Sequence, residues 1–146
     1  MYRQTFTRIN ISKTKHLLCR ARINGKKAKL LIDTGASNSC IHSELQDHFK
    51  LEKKGDPFDA SGAIEGKMEA VLTAKCIIQL GRKFKGEQAF VLLDLNHVNT
   101  TLSSQGANKI DGIIGADFLK KNKAIIDYGH RKLFLYLKSF FRIIIH

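Results

Sequence analysis

The sequence predicts an all-β domain carrying one or two short helices. Apolar and polar residues alternate loosely over 5–11, and Asn24-Gly25 is a hairpin signal between two apolar runs. Two long apolar segments, 70–80 and 83–95, meet at Gly81-Arg82. With 146 residues, 43% of them apolar and one proline, the chain is long enough to bury a core as a single domain over 1–146. The core is expected over about 16–137, followed by an apolar tail at 138–146.

Each element follows from local chemistry. Residues 5–11 form a first strand and 16–23 a second, and Asn24-Gly25 turns the chain into a strand at 29–32. Residues 40–42 return as strand, and Ser43 and Gln46, in capping-box spacing, open a short helix through Phe49. A polar turn spans 53–56. Residues 59–66 are small and carry glycines between extended segments, which fits either a loose hairpin or a lid whose hinges tolerate large dihedral changes. After the long strands 70–80 and 83–95, the polar stretch 96–108 reads as a surface loop without evident chemistry. A short helix after Gly115 and a strand at 124–127 close the core. Asp127-Tyr128-Gly129 reads as a turn. The tail at 138–146 is β-prone and apolar, and such an end invites aggregation unless it is covered.

Composition weighs against several functions. The 25 Lys and Arg against 13 Asp and Glu give a formal net charge of +12, which favours anionic partners. The lysines are scattered, as at Lys26-Lys27, Lys53-Lys54 and Lys120-Lys121. There is no tryptophan to stack on bases, so a solvated basic surface is expected and nucleic acid is not. Cys19, Cys40 and Cys76 form no Cys-x-x-Cys, and His16 with Cys19 falls on a strand, so neither a metal nor another cofactor is expected. No window approaches the roughly 18 uninterrupted apolar residues of a membrane span, and no secretory signal opens the chain. The expectation is a soluble, cytoplasmic protein.

The chemistry concentrates at residues 30–36, Leu-Leu-Ile-Asp-Thr-Gly-Ala. A buried apolar strand runs directly into an acid, a hydroxyl and a glycine, so Asp33 leaves a hydrophobic floor without slack, and Gly35 permits a tight turn beneath its carboxylate. A companion lies about 80 residues on, by the same numbering: Ile110-Asp-Gly-Ile-Ile-Gly-Ala-Asp-Phe-Leu119, with Ile113-Ile114-Gly115 ahead of a short helix. Val91–Asp94 weakly echoes the strand-to-acid pattern, but Asp94 lacks the Thr-Gly sequel and reads as structural.

The two motifs together, in order and spacing over residues 16–137, resemble the retropepsin-like aspartic proteases. The resemblance implies a closed β-barrel, the acid-protease half-fold, working as a two-fold homodimer. It implies an aspartic endopeptidase in which Asp33 is catalytic and a water sits between two Asp33 carboxylates. One carboxylate is ionised and acts as base, the other protonated and acts as acid. The chain has one Asp-Thr-Gly, so the second must come from a partner across a two-fold axis. By the same resemblance, Thr34 and Gly35 support the catalytic loop, Ile113, Ile114 and Gly115 pack beneath it, and Ala36, Ser37 and Asn38 line a cleft. That cleft holds a peptide or protein substrate as an added strand. Ser61, Gly62, Ala63 and Ile64 belong to the flap, and the tail at 138–146 joins a sheet shared by the two subunits.

Two departures bear on detail. Ser37 and Asn38 are neutral where retroviral members carry carboxylates, and Gly115-Ala116-Asp117 lacks the arginine that braces their dimer, a pattern closer to bacterial or cellular members. Two other readings remain: a peptide-binding protein of the same fold that does not cut, and a basic nucleic-acid-binding β-protein, which would bind in a salt-dependent way without Asp33.

Overall fold

The computed structural model describes residues 2–60 and 68–138. In chain order the strands are β1 (Tyr2–Arg8), β2 (Asn10–Ile11), β3 (Leu17–Ile23), β4 (Lys26–Ile32), β5 (Cys40–His42), β6 (Phe58–Asp59), β7 (Glu69–Leu72), β8 (Cys76–Leu80), β9 (Phe84–Gln88) and β10 (Val91–Leu93). Helix α1 (Asn96–Ser104) follows, then β11 (Gly112–Ile114), α2 (Ala116–Lys121), β12 (Ile125–Asp127) and β13 (Lys132–Lys138). The domain is dominated by β-structure, as the sequence predicts, and no helix among the described residues is long and apolar enough to cross a membrane.

The hairpin at Asn24-Gly25 forms with φ of 49° and 84° at the two turn residues, the left-handed pair that matches strand twist. It sets β3 against β4 in antiparallel register from Leu17↔Ile32 to Ile23↔Lys26. The main sheet runs β6-β7-β10-β5-β11-β4-β3-β8-β9. Its centre has a local symmetry: β5 and β11 pair antiparallel, and each is flanked by a parallel neighbour, β10 beside β5 and β4 beside β11. A smaller sheet, β1-β13-β12, packs alongside. The core gathers Leu30, Ile41, Ile78, Phe90, Ile114, Phe118 and Leu133, all fully buried, with the Phe84 and Phe118 rings edge to face at 5.7 Å.

Four expectations are corrected. The main sheet does not close into a barrel among the described residues, because β6 and β9 end the path without pairing to each other. The long strands 70–80 and 83–95 are each broken. Buried Thr73 takes its amide to Phe90 O at 2.8 Å and its hydroxyl accepts the Phe90 N–H at 3.0 Å, so both breaks lie together. One half of that hairpin, β8–β9, then joins β3, while the other half, β7 with β10, joins β5. The helix expected from Ser43 to Phe49 is only a 3-10 turn over Ser43–Leu45. Ser43 makes no side-chain cap there, and Gln46 instead donates to Leu51 O at 3.2 Å.

The fourth correction is that 96–108 is not merely a loop: its first nine residues are α1. Threonine, asparagine and serine are weak helix formers, so tertiary contacts hold it. Leu102 and Val98 pack with Leu31 and Ile110, and buried Asn99 exchanges two hydrogen bonds with the Ile110 backbone, at 2.8 and 3.1 Å. Asp94 is structural, as expected: its Oδ1 accepts the Asn96 N–H at 2.8 Å and starts the helix.

Candidate active site

Asp33 stands at the end of β4, one residue beyond buried Leu30, Leu31 and Ile32. The parallel neighbour β11 runs in register beside it, Ile114↔Ile32, and the Asp33 N–H continues the ladder to Ile114 O at 2.9 Å. The chain then turns at once, with Ala36 N–H reaching back to Asp33 O at 3.1 Å. The Gly35 N–H donates to Asp33 Oδ1 at 2.9 Å, which fixes the carboxylate over its own turn. Gly35 does not use a positive φ; a Cβ there would stand 3.3 Å from Asp33 Oδ1, so what glycine supplies is room for the acid. Among the described residues nothing donates to Oδ2 of this half-buried carboxylate.

The loop is tied down from below by groups the sequence reading left out. Ser39 is buried, and its Oγ accepts the Gly115 N–H at 2.9 Å while donating to Asp117 Oδ1 at 2.7 Å. The same Oδ1 takes the Ser39 N–H at 2.9 Å and the Phe118 N–H at 2.8 Å, and Oδ2 takes Gln88 Nε2 at 3.0 Å. Lys121 Nζ completes the chain on Gln88 Oε1 at 3.0 Å. Two loop carbonyls, of Ala36 and Ser37, accept the N–H groups of Ala116 and Asp117 at the start of α2, at 2.7 and 3.2 Å. A side chain at Gly115 has no room, since its Cβ would lie 2.7 Å from Ala36 O and 2.9 Å from Asn38 O. Gly112 is tighter still, at 2.4 Å from Cys40 O. The only sequence signal for this network was the acid two residues after Gly115.

The structure therefore brings Asp33, Thr34, Gly35 and Ala36 together with Ile114 and Gly115. Ile113 faces the other way, into the small cluster with Leu31, Leu102 and Ile110. Ser37 and Asn38 are exposed, and Ala36 is half-buried. Thr34 is exposed, its hydroxyl has no partner among the described residues, and it borders a shallow cleft of about 350 Å³ with Ala116, Leu119, Lys120, Ala124 and Ile126. The flap positions Ser61, Gly62, Ala63 and Ile64 lie outside the described residues. The chain on either side of them is antiparallel, Phe58↔Ala70 and Asp59↔Glu69.

Thiol chemistry is suppressed throughout the chain's three cysteines. Burial pushes Cys19 and Cys40 up to about 12 and Cys76 up to about 11, so all three remain protonated near neutrality. Among the described residues no three His, Cys, Asp or Glu side chains gather as a metal site.

The family model described as gag-polyprotein putative aspartyl protease matches residues 19–121. No curated protein matches the sequence. Among solved structures, a retropepsin-like aspartic protease from Rickettsia conorii is similar over 93% of this chain and 91% of its own, at 19% identity and TM-score 0.53. The retroviral protease-like domain of Ddi1 from Leishmania major is similar over 84% of this chain and 94% of its own, at 19% identity and TM-score 0.59. EIAV protease, solved with the inhibitor HBY-793, is similar over 75% of this chain and 89% of its own, at 18% identity and TM-score 0.51. Bacterial, cellular and viral proteins thus share the fold.

Proposed function

From the premise that the chain belongs to the gag-polyprotein putative aspartyl protease family and has the retropepsin-like fold, we propose that it is an aspartic endopeptidase completed by a second copy of itself. The observation that carries the reading is the state of Asp33: one oxygen is fixed by the Gly35 N–H, and the other has no donor among the described residues. A single carboxylate so placed cannot serve as both acid and base. Two of them, facing across a two-fold axis, share one proton because like charges that close cannot both ionise cheaply.

The ionised Asp33 takes a proton from the bound water as the water oxygen attacks the peptide carbonyl. The protonated Asp33 of the second copy donates to the developing oxyanion, and a proton then passes to the leaving amine. Thr34, exposed and unpartnered among the described residues, bonds the partner's loop, and Gly35 faces the substrate backbone. Substrate lies as an extended strand over Ala36, Ser37 and Asn38. The bonds from α2 to the Ala36 and Ser37 carbonyls support this arrangement, because they hold the cleft edge in place.

A diverse peptide library tests the activity, digested from about pH 4 to 7 at protein concentrations that force association, with wild type beside Asp33→Asn. Asparagine keeps the shape and cannot share the proton. Cutting by wild type alone is expected; cutting by both would remove Asp33 from the mechanism.

A further inference from the structure

We propose that a second site, separate from Asp33, binds the phosphate backbone of single-stranded nucleic acid. It is a cleft of about 1060 Å³ between β1 and the outer face of β3 and β4, and no residue of the Asp33 loop lines it. Along the chain its cations look dispersed. Antiparallel pairing gathers them: Arg20 lies opposite Lys29, and Arg22 opposite Lys27, so two adjacent cross-strand pairs carry like charge on one face. Arg8 from β1 and Arg82 from the β8–β9 turn add to the same cleft.

Like charges directly opposite on a sheet are destabilising, and here the arginines and lysines of the cleft meet a single carboxylate, Asp111. The ion pairs among the described residues involve histidines, none of them in this cleft. The one carboxylate lining it, Asp111, is engaged by the Lys29 backbone N–H at 2.8 Å. Such a field is relieved by an external anion. Residues two apart on a strand are separated by about 6.8 Å, so Arg20 and Arg22, and Lys27 and Lys29, present a periodic double row of charge to a linear polyanion. A phosphodiester supplies one charge per unit whatever its sequence, and arginine forks bind phosphate oxygens bidentately.

The cleft's shape narrows the choice. At Gly81 the β8–β9 turn closes on β1, where a Cβ would stand 2.4 Å from Phe6 O, so the site is a walled groove and not a flat face suited to a membrane. The one aromatic residue in the lining, Phe6, packs its ring against Phe134 at 6.0 Å, so contact is through the backbone and is not specific for base sequence.

Fluorescence anisotropy of the full chain with a labelled oligouridylate, over a salt series, tests the proposal. Binding should weaken linearly in log–log form with added salt. Arg20→Gln/Lys27→Gln should weaken it about tenfold and lower the salt slope by about 1.4, the loss of two phosphate contacts on a single strand. Lys54→Gln/Lys75→Gln, which removes the same charge outside the cleft, should change affinity less than twofold, and Asp33→Asn should bind as wild type. Equal losses in the two double variants would mean diffuse net charge and overturn the site. Equally strong binding by poly-glutamate, or by a duplex of the same length, would also overturn the assignment to single-stranded nucleic acid.

Discussion

Ser39 and Asp117 are joined at 2.7 Å, hydroxyl to carboxylate, and through that bond the Asp33 turn is fastened to the start of α2. The Ser39 hydroxyl is spent twice, since it also accepts the buried Gly115 N–H at 2.9 Å. Ser39→Ala therefore strands an amide and removes a donor from a charged acceptor, and it should cost about 1–3 kcal/mol in stability. Urea unfolding measures it as a lowered midpoint at unchanged slope. Asp117→Asn should be similarly harmful, because an amide cannot accept all the bonds the carboxylate accepts.

Gly112 marks where two backbones nearly touch. Gly112→Ala sets a methyl 2.4 Å from Cys40 O and 2.6 Å from Ile41 Cδ1, and the nearer atom is backbone that cannot swing aside. The strands β4, β5 and β11 meet there. We expect a loss of about 1–3 kcal/mol, the usual cost of overpacking, with cleavage falling further because Asp33 hangs from β11. Equilibrium unfolding and peptide turnover on one preparation separate the two effects.

Much of this site is legible in the sequence where the chemistry is local. Asn24-Gly25, the run into Asp33, and Gly115 ahead of a helix each carry their conformation within a few residues. The supporting network is not local: Ser39 and Asp117 are 78 residues apart, and Gln88 and Asp117 are 29 apart. Their meeting depends on parallel pairing of β4 with β11, which no short pattern announces. Helix α1 was hidden for a related reason. Its threonines, serines and asparagines favour loops by themselves, and burial of Leu102 and Asn99 overrides that preference. The breaks at Thr73 and Phe90 likewise follow from a contact between distant residues. The basic cleft is a matter of strand register, since charges scattered in the chain fall opposite one another only when Arg20 faces Lys29.

The turn between β12 and β13 should give the fold a weak acid dependence. Asp127 accepts the His130 N–H at 2.9 Å and lies 2.9 Å from His130 Nδ1, and these bonds hold its carboxyl below the usual carboxylate range. A group whose folded pKa is lowered adds stability above its unfolded value, and that stability is lost as pH falls through the folded value. The gap in urea midpoint between wild type and Asp127→Asn should thus be present near pH 6 and should shrink as pH drops below the ordinary carboxylate range. A gap that widens on acidification would reverse the assignment.

If each active site uses Asp33 from two copies of the chain, subunit mixing must poison it. Wild type held at fixed concentration is refolded together with increasing Asp33→Asn protein, and peptide cleavage is followed. Activity should fall toward zero as wild-type chains are captured in mixed dimers that hold one carboxylate. Activity that stays constant as the inactive protein is added would contradict it, because each wild-type chain would then be cutting alone.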